Sequence, residues 1–253
     1  MHNNQHTAAI LVIGNEILSG RTQDKNTQFI ANELTKIGVI LREVIVIPDE
    51  EGIIIKHLNN LRKKYSYVFA TGGIGSTHDD ITSRSVAKAF GVKLVRNEKA
   101  VSLIKARYKE KNASLNEEAF KMADIPKTAT LVKNGISGAP GFAIENVFIL
   151  AGVPSIMQSM FQYVKENLLE HGKEIFSHTL TVLVGESNIA TNLAKLQESF
   201  KTLQIGTYPF IKDDRWCTHV VIRGQELTKI NKAAQKLKDY MKKNNIEFHE
   251  EAE

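Results

Sequence analysis

The chain has 253 residues, 42% hydrophobic and 24% charged, an ordinary composition for a globular protein of one or two domains with enough material for a real core. Its formal charge of +5, from 33 Lys and Arg against 28 Asp and Glu, is modest and suits an anionic small molecule as well as nucleic acid. The single cysteine, Cys217, excludes an internal disulfide or a cysteine metal site and fits a reducing, cytoplasmic setting; no apolar run approaches the roughly 20 residues that span a bilayer, and the polar opening, residues 1–7, lacks the apolar stretch of a signal peptide.

Residues 8–13 are continuously apolar and predict a parallel strand buried on both faces. The run stops at Gly14-Asn15-Glu16-Ile17-Leu18-Ser19-Gly20, read as a loop. Asp24 or Asn26 is placed to cap a helix with Ile30, Leu34 and Ile37 on one face and Gly38 at its end. Residues 39–47 read as a second strand, closed by Pro48, and Ile54, Leu58 and Leu61 mark the next helix. Residues 67–71 form a third strand. It leads into Gly72-Gly73-Ile74-Gly75-Ser76-Thr77-His78-Asp79-Asp80 and then a helix over about 81–90, ended by Gly91.

Asn97 caps a helix with Val101, Ile104 and Tyr108 inward, and a short helix covers about 116–123. A flexible loop over 134–141 precedes a hairpin over 142–150, turning at Glu145-Asn146. Pro154 then opens a helix in its first turn. Strands alternating with helices predict βαβ units and a doubly wound, mostly parallel α/β sheet covered on both faces.

The pattern changes after 170–176. Strand (178–184), helix (187–200), strand (203–208), strand (218–223), helix (226–243) and a last strand near 246–248 predict a small α+β, ferredoxin-like module. The expected division is therefore 1–170 and 176–253. The lysines between Lys229 and Lys243 read as a solvated helix face, and no interleaved aromatics suggest base stacking.

Ligands of parallel sheets gather at the carboxyl ends of strands. Four segments follow strands directly: Gly14-Asn15-Glu16, Pro48-Asp49-Glu50, residues 72–80, and Gly152-Val153-Pro154. The glycine loop lacks the Gly-Lys-Ser/Thr ending of a P-loop and the third glycine of a dinucleotide fingerprint. Its amides and the positive end of the next helix still favour an anion, with Thr77 and Thr82 adding hydroxyl donors. Asp79 and Asp80 beside an anion make sense if a divalent cation lies between; the plainer alternative is an acidic helix cap. His78 reads equally as an acid–base group or a hydrogen-bonding loop residue. Ser76 and Ser19 have no visible base and Cys217 reads as packing, so water activated by metal is the expected nucleophile.

The stretches GNEILSGRTQDKNT (14–27), VIPDE (46–50), TGGIGSTHDDIT (71–82), NEEAFKMADIP (116–126), SGAPGF (137–142) and AGVPSIMQSMF (151–161) resemble, in order, the molybdopterin-binding (MoaB/MogA-like) superfamily. The likeness is greatest to the N-terminal domain of competence/damage-inducible protein A and to the molybdopterin-binding-like domain of eukaryotic FAD synthase. The second module looks like the small domain that follows in those proteins.

The resemblance implies a divalent-metal-dependent pyrophosphohydrolase acting on ADP-ribose or FAD, with magnesium, manganese or cobalt as the metal and potassium as a further candidate ion. Asp80 matches the final Asp of the glycine-loop motif, which lies at the catalytic, metal-linked site of the molybdopterin branch. Asp79 and Glu16 complete the expected metal and catalytic set. The expected substrate contacts are Gly14, Asn15, Asp49, Gly72, Gly73, Gly75, Ser76, Thr77, Thr82, Gly138, Pro140, Gly152 and Pro154. Ser76 and Ala151 stand where the family usually has proline. No counterpart of the relatives' amidase or FAD-synthesising domains is found, so neither activity is expected. The alternatives are molybdopterin binding or adenylylation, and a non-catalytic nucleotide-binding module. In each case the partner is a nucleotide or pterin phosphate, without nucleic acid or membrane, and a homo-oligomer is expected.

Overall fold

The computed structural model describes residues 6–170 and 172–250, so most of the polar opening read as lacking a signal peptide lies outside the described residues. Contacts divide the chain into two compact units, with the break between Gly172 and Lys173.

The first unit starts with β1 (Thr7–Ile13), whose residues from Ala8 onward are all buried, as a strand covered on both faces must be. The short helix α1 (Asn15–Leu18) stands where the sequence pattern predicts only a loop, because four residues carry no apolar period. In α2 (Asn26–Lys36) the helix is opened by Asp24, whose Oδ1 accepts from the main-chain N–H groups of Asn26 and Thr27 at 2.9 and 3.1 Å. Then come β2 (Ile40–Ile47), α3 (Glu51–Lys64), β3 (Tyr67–Thr71), α4 (Thr82–Ala89), β4 (Leu94–Arg96) and α5 (Glu98–Glu110). Asn97 caps α5 by accepting from the Ala100 N–H at 3.0 Å.

Residues Glu117–Ala123 wind as a 3-10 helix, again opened by an asparagine, Asn116, which accepts from the Ala119 N–H at 3.1 Å. The unit finishes with β5 (Asp124–Pro126), β6 (Thr130–Val132), β7 (Gly141–Ile144), β8 (Val147–Leu150) and α6 (Pro154–Asn167), with Pro154 in the first turn. Strands β4, β5 and β6 are each three residues long, too short for alternation to reveal them.

Among the described residues the main sheet has six strands in the order β2-β1-β3-β8-β7-β6. The first four run parallel, and β7 and β6 are antiparallel additions. One face is covered by Ile30 and Leu34 of α2 and by Met157 and Phe161 of α6, packed on Phe69 and Phe148. The Phe69 ring lies 5.3 Å from Phe148 and 5.2 Å from Phe161. The other face takes Ile54, Leu58 and Leu61 of α3 and Val86 of α4 against Leu11, Val68 and Ile149. Each such buried side chain contributes about 1.5–3 kcal/mol. Two packed layers fix the strands, and so fix where their carboxyl ends release the loops.

The second unit holds β9 (Phe176–Val182), a 3-10 turn (Glu186–Asn188), α7 (Ala190–Ser199), β10 (Gln204–Lys212), β11 (Arg215–Gly224), α8 (Leu227–Lys243) and β12 (Phe248–Glu250). Its antiparallel sheet has the order β10-β11-β9-β12, a βαββαβ ferredoxin-like module. Leu180, Val220, Ile222, Ile230 and Leu237 make its core. Strands β10 and β11 run further than expected and meet in a two-residue turn at Asp213 and Asp214, with φ of +50° and +58°. Cys217 is buried within β11. Among the described residues no helix is long and apolar enough to cross a membrane.

Candidate functional site

Loops leaving the carboxyl ends of β1, β2, β3 and β8 wall one cavity of about 530 Å³. Glu16 comes from α1, Asp49 from the turn after β2, and Gly72, Gly73, Gly75, Asp79 and Asp80 from the loop after β3. Gly152 and Pro154 come from the entry to α6, and Pro140 from the approach to β7.

The glycine loop is held to the sheet and to α4. The Gly72 N–H donates to Leu150 O at 3.1 Å, and the Thr82 N–H donates to Gly73 O at 3.0 Å. Gly72 and Gly73 have φ of +101° and +67°, a region that favours glycine. A Cβ on Gly72 would strike the main-chain oxygen of Ile13, and one on Gly73 would strike the Thr82 hydroxyl. Thr82 is fully buried beneath this loop, and its Oγ1 has no hydrogen-bond partner. Helix α4 has Ile81 at its N-cap position, no side-chain cap and no acid in its first turn. The acidic-cap alternative for Asp79 and Asp80 is therefore not what the structure shows.

Those two carboxylates serve the loop instead. The Thr77 N–H donates to Asp80 Oδ2 at 2.8 Å. The Thr77 hydroxyl lies 2.6 Å from both Asp80 Oδ2 and Asp79 Oδ1. The Thr77 hydroxyl, followed by Asp79's own main-chain N–H, holds the Asp79 carboxyl below the usual carboxylate range, so it is charged at neutral pH. Asp49 Oδ2 accepts from the Asn15 N–H at 2.9 Å.

Of the remaining expected contacts, Gly14 packs on the Glu16 carboxylate and Gly138 on Arg107 of α5. Gly14, Asn15, Ser76, Thr77, Thr82 and Gly138 do not line the cavity themselves. His78 is exposed and does not line it either. Ala151 lines it, and its main-chain N–H points at Met160 Sδ, 3.3 Å away, a contact that proline would lack. Among the described residues no three His, Cys, Asp or Glu side chains form a group that could hold a metal ion unaided.

Several lining residues are not singled out by the sequence. Ile74, Met122, Ile156 and Met160 form an apolar side, joined by Thr22 and Ser137. Apolar residues on helices read as core, so nothing marks these as ligand-facing. Lys121 donates its ammonium to Thr77 O and brings a cation to the glycine loop. Its neighbourhood was visible only as part of a longer matching stretch.

A doubly wound sheet with a glycine loop and a cavity at its strand ends, followed by a ferredoxin-like module, defines a two-module α/β protein of the small-molecule-binding kind. The chain belongs to the probable molybdopterin binding domain family, whose model matches residues 9–171. The model of the FAD synthase middle domain matches residues 174–250. A protein of Archaeoglobus fulgidus is 31% identical over 233 residues, covering 92% of this chain and 96% of the relative. A Pyrococcus furiosus protein is 31% identical over 255 residues, covering 96% and 98%. Among solved structures, CinA of Thermoplasma acidophilum, described as of unknown function, is 32% identical with a TM-score of 0.59, covering 66% of this chain and 99% of that one.

Proposed function

We propose that the chain is a divalent-metal-dependent pyrophosphohydrolase acting on ADP-containing nucleotides of the ADP-ribose or FAD kind. The observation that carries this reading is one cavity lined by the glycine loop with its Asp79 and Asp80, by Glu16 and Asp49, and by the apolar Ile74, Met122, Ile156 and Met160. The loop amides and the uncapped start of α4 suit a phosphate. The apolar side suits a flat heterocycle and keeps water from it.

The donors are all oxygen, which fits a hard cation such as magnesium or manganese. Among the described residues no three His, Cys, Asp or Glu side chains could hold an ion unaided, so phosphate and water oxygens would have to complete its shell, as they commonly do for magnesium. Asp80, Asp79 and Glu16 are the residues that would hold it. When bound, such an ion lowers the pKa of coordinated water and offsets charge on the phosphates. Thr77 fixes the orientation of both aspartates, and Lys121 steadies the loop and adds positive charge beside it.

The family match favours a second reading, molybdopterin binding, because that ligand also joins a phosphate to a flat heterocycle. The test is product analysis with ADP-ribose and FAD, with and without magnesium, manganese or cobalt, in the presence and absence of potassium. Metal-dependent AMP release supports hydrolysis. Tight nucleotide binding without turnover makes the chain a binding module, and molybdopterin binding without nucleotide binding favours the second reading.

A further inference from the structure

Buried polar atoms are nearly always paired, so unpaired ones call for a reason. Among the described residues three buried side-chain atoms have no hydrogen-bond partner: Asn26 Oδ1, Thr82 Oγ1 and His178 Nε2, the last lying 3.9 Å from the Glu250 carboxylate. Thr82 lies under the glycine loop. Asn26, the first residue of α2, has no part in the site as described so far and is only 7% exposed. Its Nδ2 donates to Gly152 O at 2.7 Å. Only the amide nitrogen can donate to a carbonyl, so this bond fixes which way the side chain points and leaves Oδ1 as an acceptor. Its main-chain N–H is already taken by Asp24 Oδ1 at 2.9 Å.

Asn26 lines a second, small cavity of about 50 Å³, together with Glu16, Thr22, Thr71, Gly72 and Gly152. Glu16, Gly72 and Gly152 also wall the large cavity, so the small one is an annex to it. The annex has room for a group of a few atoms, not for a ring system. Its polar lining is mixed: Lys25, Gln23, Thr22 and Thr71 carry donors and Glu16 a carboxylate, while Asn26 Oδ1 is a buried acceptor with no hydrogen-bond partner. Asp24 also reaches it, but both its oxygens are engaged by Asn26 and Thr27. The unpaired Asn26 Oδ1 calls for a group that donates a hydrogen bond. Because Gly72 borders both cavities and opens the glycine loop, that donor must lie close to the phosphate. In a nucleotide the donors next to the phosphates are the sugar hydroxyls, while an exocyclic amine sits at the far end of the base.

We propose that Asn26 Oδ1 accepts a hydrogen bond from a ribose hydroxyl of the bound nucleotide, which makes Asn26 a specificity-determining residue. This rests on the reading that the glycine loop holds the phosphate. The annex reads the sugar, and the amide spans the gap between it and the Gly152 loop.

The experiment is calorimetry on the full chain with magnesium, using ADP, 2′-deoxy-ADP, 3′-deoxy-ADP, inosine diphosphate and inorganic pyrophosphate. At least one deoxy compound should bind about tenfold or more weakly than ADP, since a site built for a hydroxyl is left with an unpaired group by its absence. Inosine diphosphate should bind like ADP. Asn26→Ala should lower ADP affinity to that of the deoxy compound and erase the difference between them. The wild-type arm stands even if that variant folds poorly. Equal affinity for ADP and both deoxy forms would mean the annex holds only water, and a loss confined to inosine diphosphate would place the donor on the base; either overturns the proposal. If pyrophosphate binds and Gly73→Ala abolishes that binding while the sugar makes no difference, the phosphate reading survives and this one falls. If neither ADP nor pyrophosphate binds, both fall.

Discussion

Thr77 and Asp80 close the glycine loop on itself: the Thr77 N–H donates to Asp80 Oδ2 at 2.8 Å while its hydroxyl lies 2.6 Å from the same oxygen. One oxygen of Asp80 is thus spent on holding the loop, and the carboxylate is oriented before any ligand arrives. Such prior orientation lets a charged group act without reorganising at the moment of reaction.

The neighbouring glycines should separate fold from binding. Gly72→Ala puts a Cβ against the main-chain oxygen of Ile13 at φ +101°, where neither atom can yield without moving β1. Strain and clash together should cost about 1–3 kcal/mol or more. Gly73→Ala is also strained, at φ +67° against the fully buried Thr82 hydroxyl, whereas Gly75→Ala meets the Asp80 carboxylate at 2.5 Å, a side chain that is only half-buried and can shift. Gly75→Ala should keep most of the stability and Gly73→Ala somewhat less, and both should lose phosphate binding, read by urea unfolding beside calorimetry with ADP. Unchanged affinity in both would mean the loop is not the phosphate site.

Thr77→Val should change how the loop responds to acid. The Thr77 hydroxyl is the largest cause of the lowered Asp79 pKa, below its ordinary 3.8. A carboxyl whose folded pKa lies below its unfolded value stabilises fully above the unfolded value, and that contribution is lost as pH falls through the folded one. Removing the hydroxyl should move Asp79's titration up toward 3.8 and start the acid loss of loop order at higher pH. Carboxyl carbon shifts from NMR across pH 2–6 would follow it; an unmoved Asp79 would assign the shift to its own main-chain N–H.

Cys217 should prove structural. It is 2% exposed in β11, and its sulfur lies 3.7 Å from Arg215 O. Cys217→Ser places a hydroxyl in an apolar position and should cost about 1–2 kcal/mol in unfolding experiments. Turnover per folded molecule should stay near wild type, whereas its loss in a well-folded variant would argue for a thiolate nucleophile.

The frame of the first unit was legible because its strands are apolar runs ended by glycine or proline, as at Gly14 and Pro48, and its helices carry a clean spacing, as in Ile54, Leu58 and Leu61. The carboxylates were legible because each lies in a segment that leaves the carboxyl end of a strand. Lys121 and Asn26 were not. A lysine on a short 3-10 helix looks like surface, and an asparagine at a helix start looks like a cap, although the capping is done by Asp24. The apolar wall was hidden for a related reason: Met122, Ile156 and Met160 are spaced like core residues, and only the chain's return to the strand ends shows that they face a cavity. The β10–β11 extension passes through exposed Ile211 and Trp216, which lack the alternation a half-buried strand would display.

Asp80→Asn is the sharpest test of the catalytic reading. Asparagine keeps the size, and its amide oxygen can still accept from the Thr77 N–H, so the loop closure survives. Asp80 does not cap α4, so no helix-capping energy is at stake. The loss of stability should stay within about 1 kcal/mol, a shift of about 2–4 °C in Tm for a protein of this size. What disappears is the charge. If Asp80 helps hold a divalent ion beside the phosphates, several kcal/mol of transition-state stabilisation go with it, and hydrolysis of ADP-ribose should fall about a hundredfold or more. Nucleotide binding through the glycine-loop amides should persist in part. Asp79→Asn should be milder if Asp79 acts mainly through its bond to Thr77. The measurement is hydrolysis rate against metal concentration for both variants, alongside thermal unfolding. Wild-type turnover by Asp80→Asn at saturating metal would restrict Asp80 to loop closure, and the metal-linked role would then rest on Glu16 or Asp49, which with Asp79 are the other carboxylates on the cavity wall.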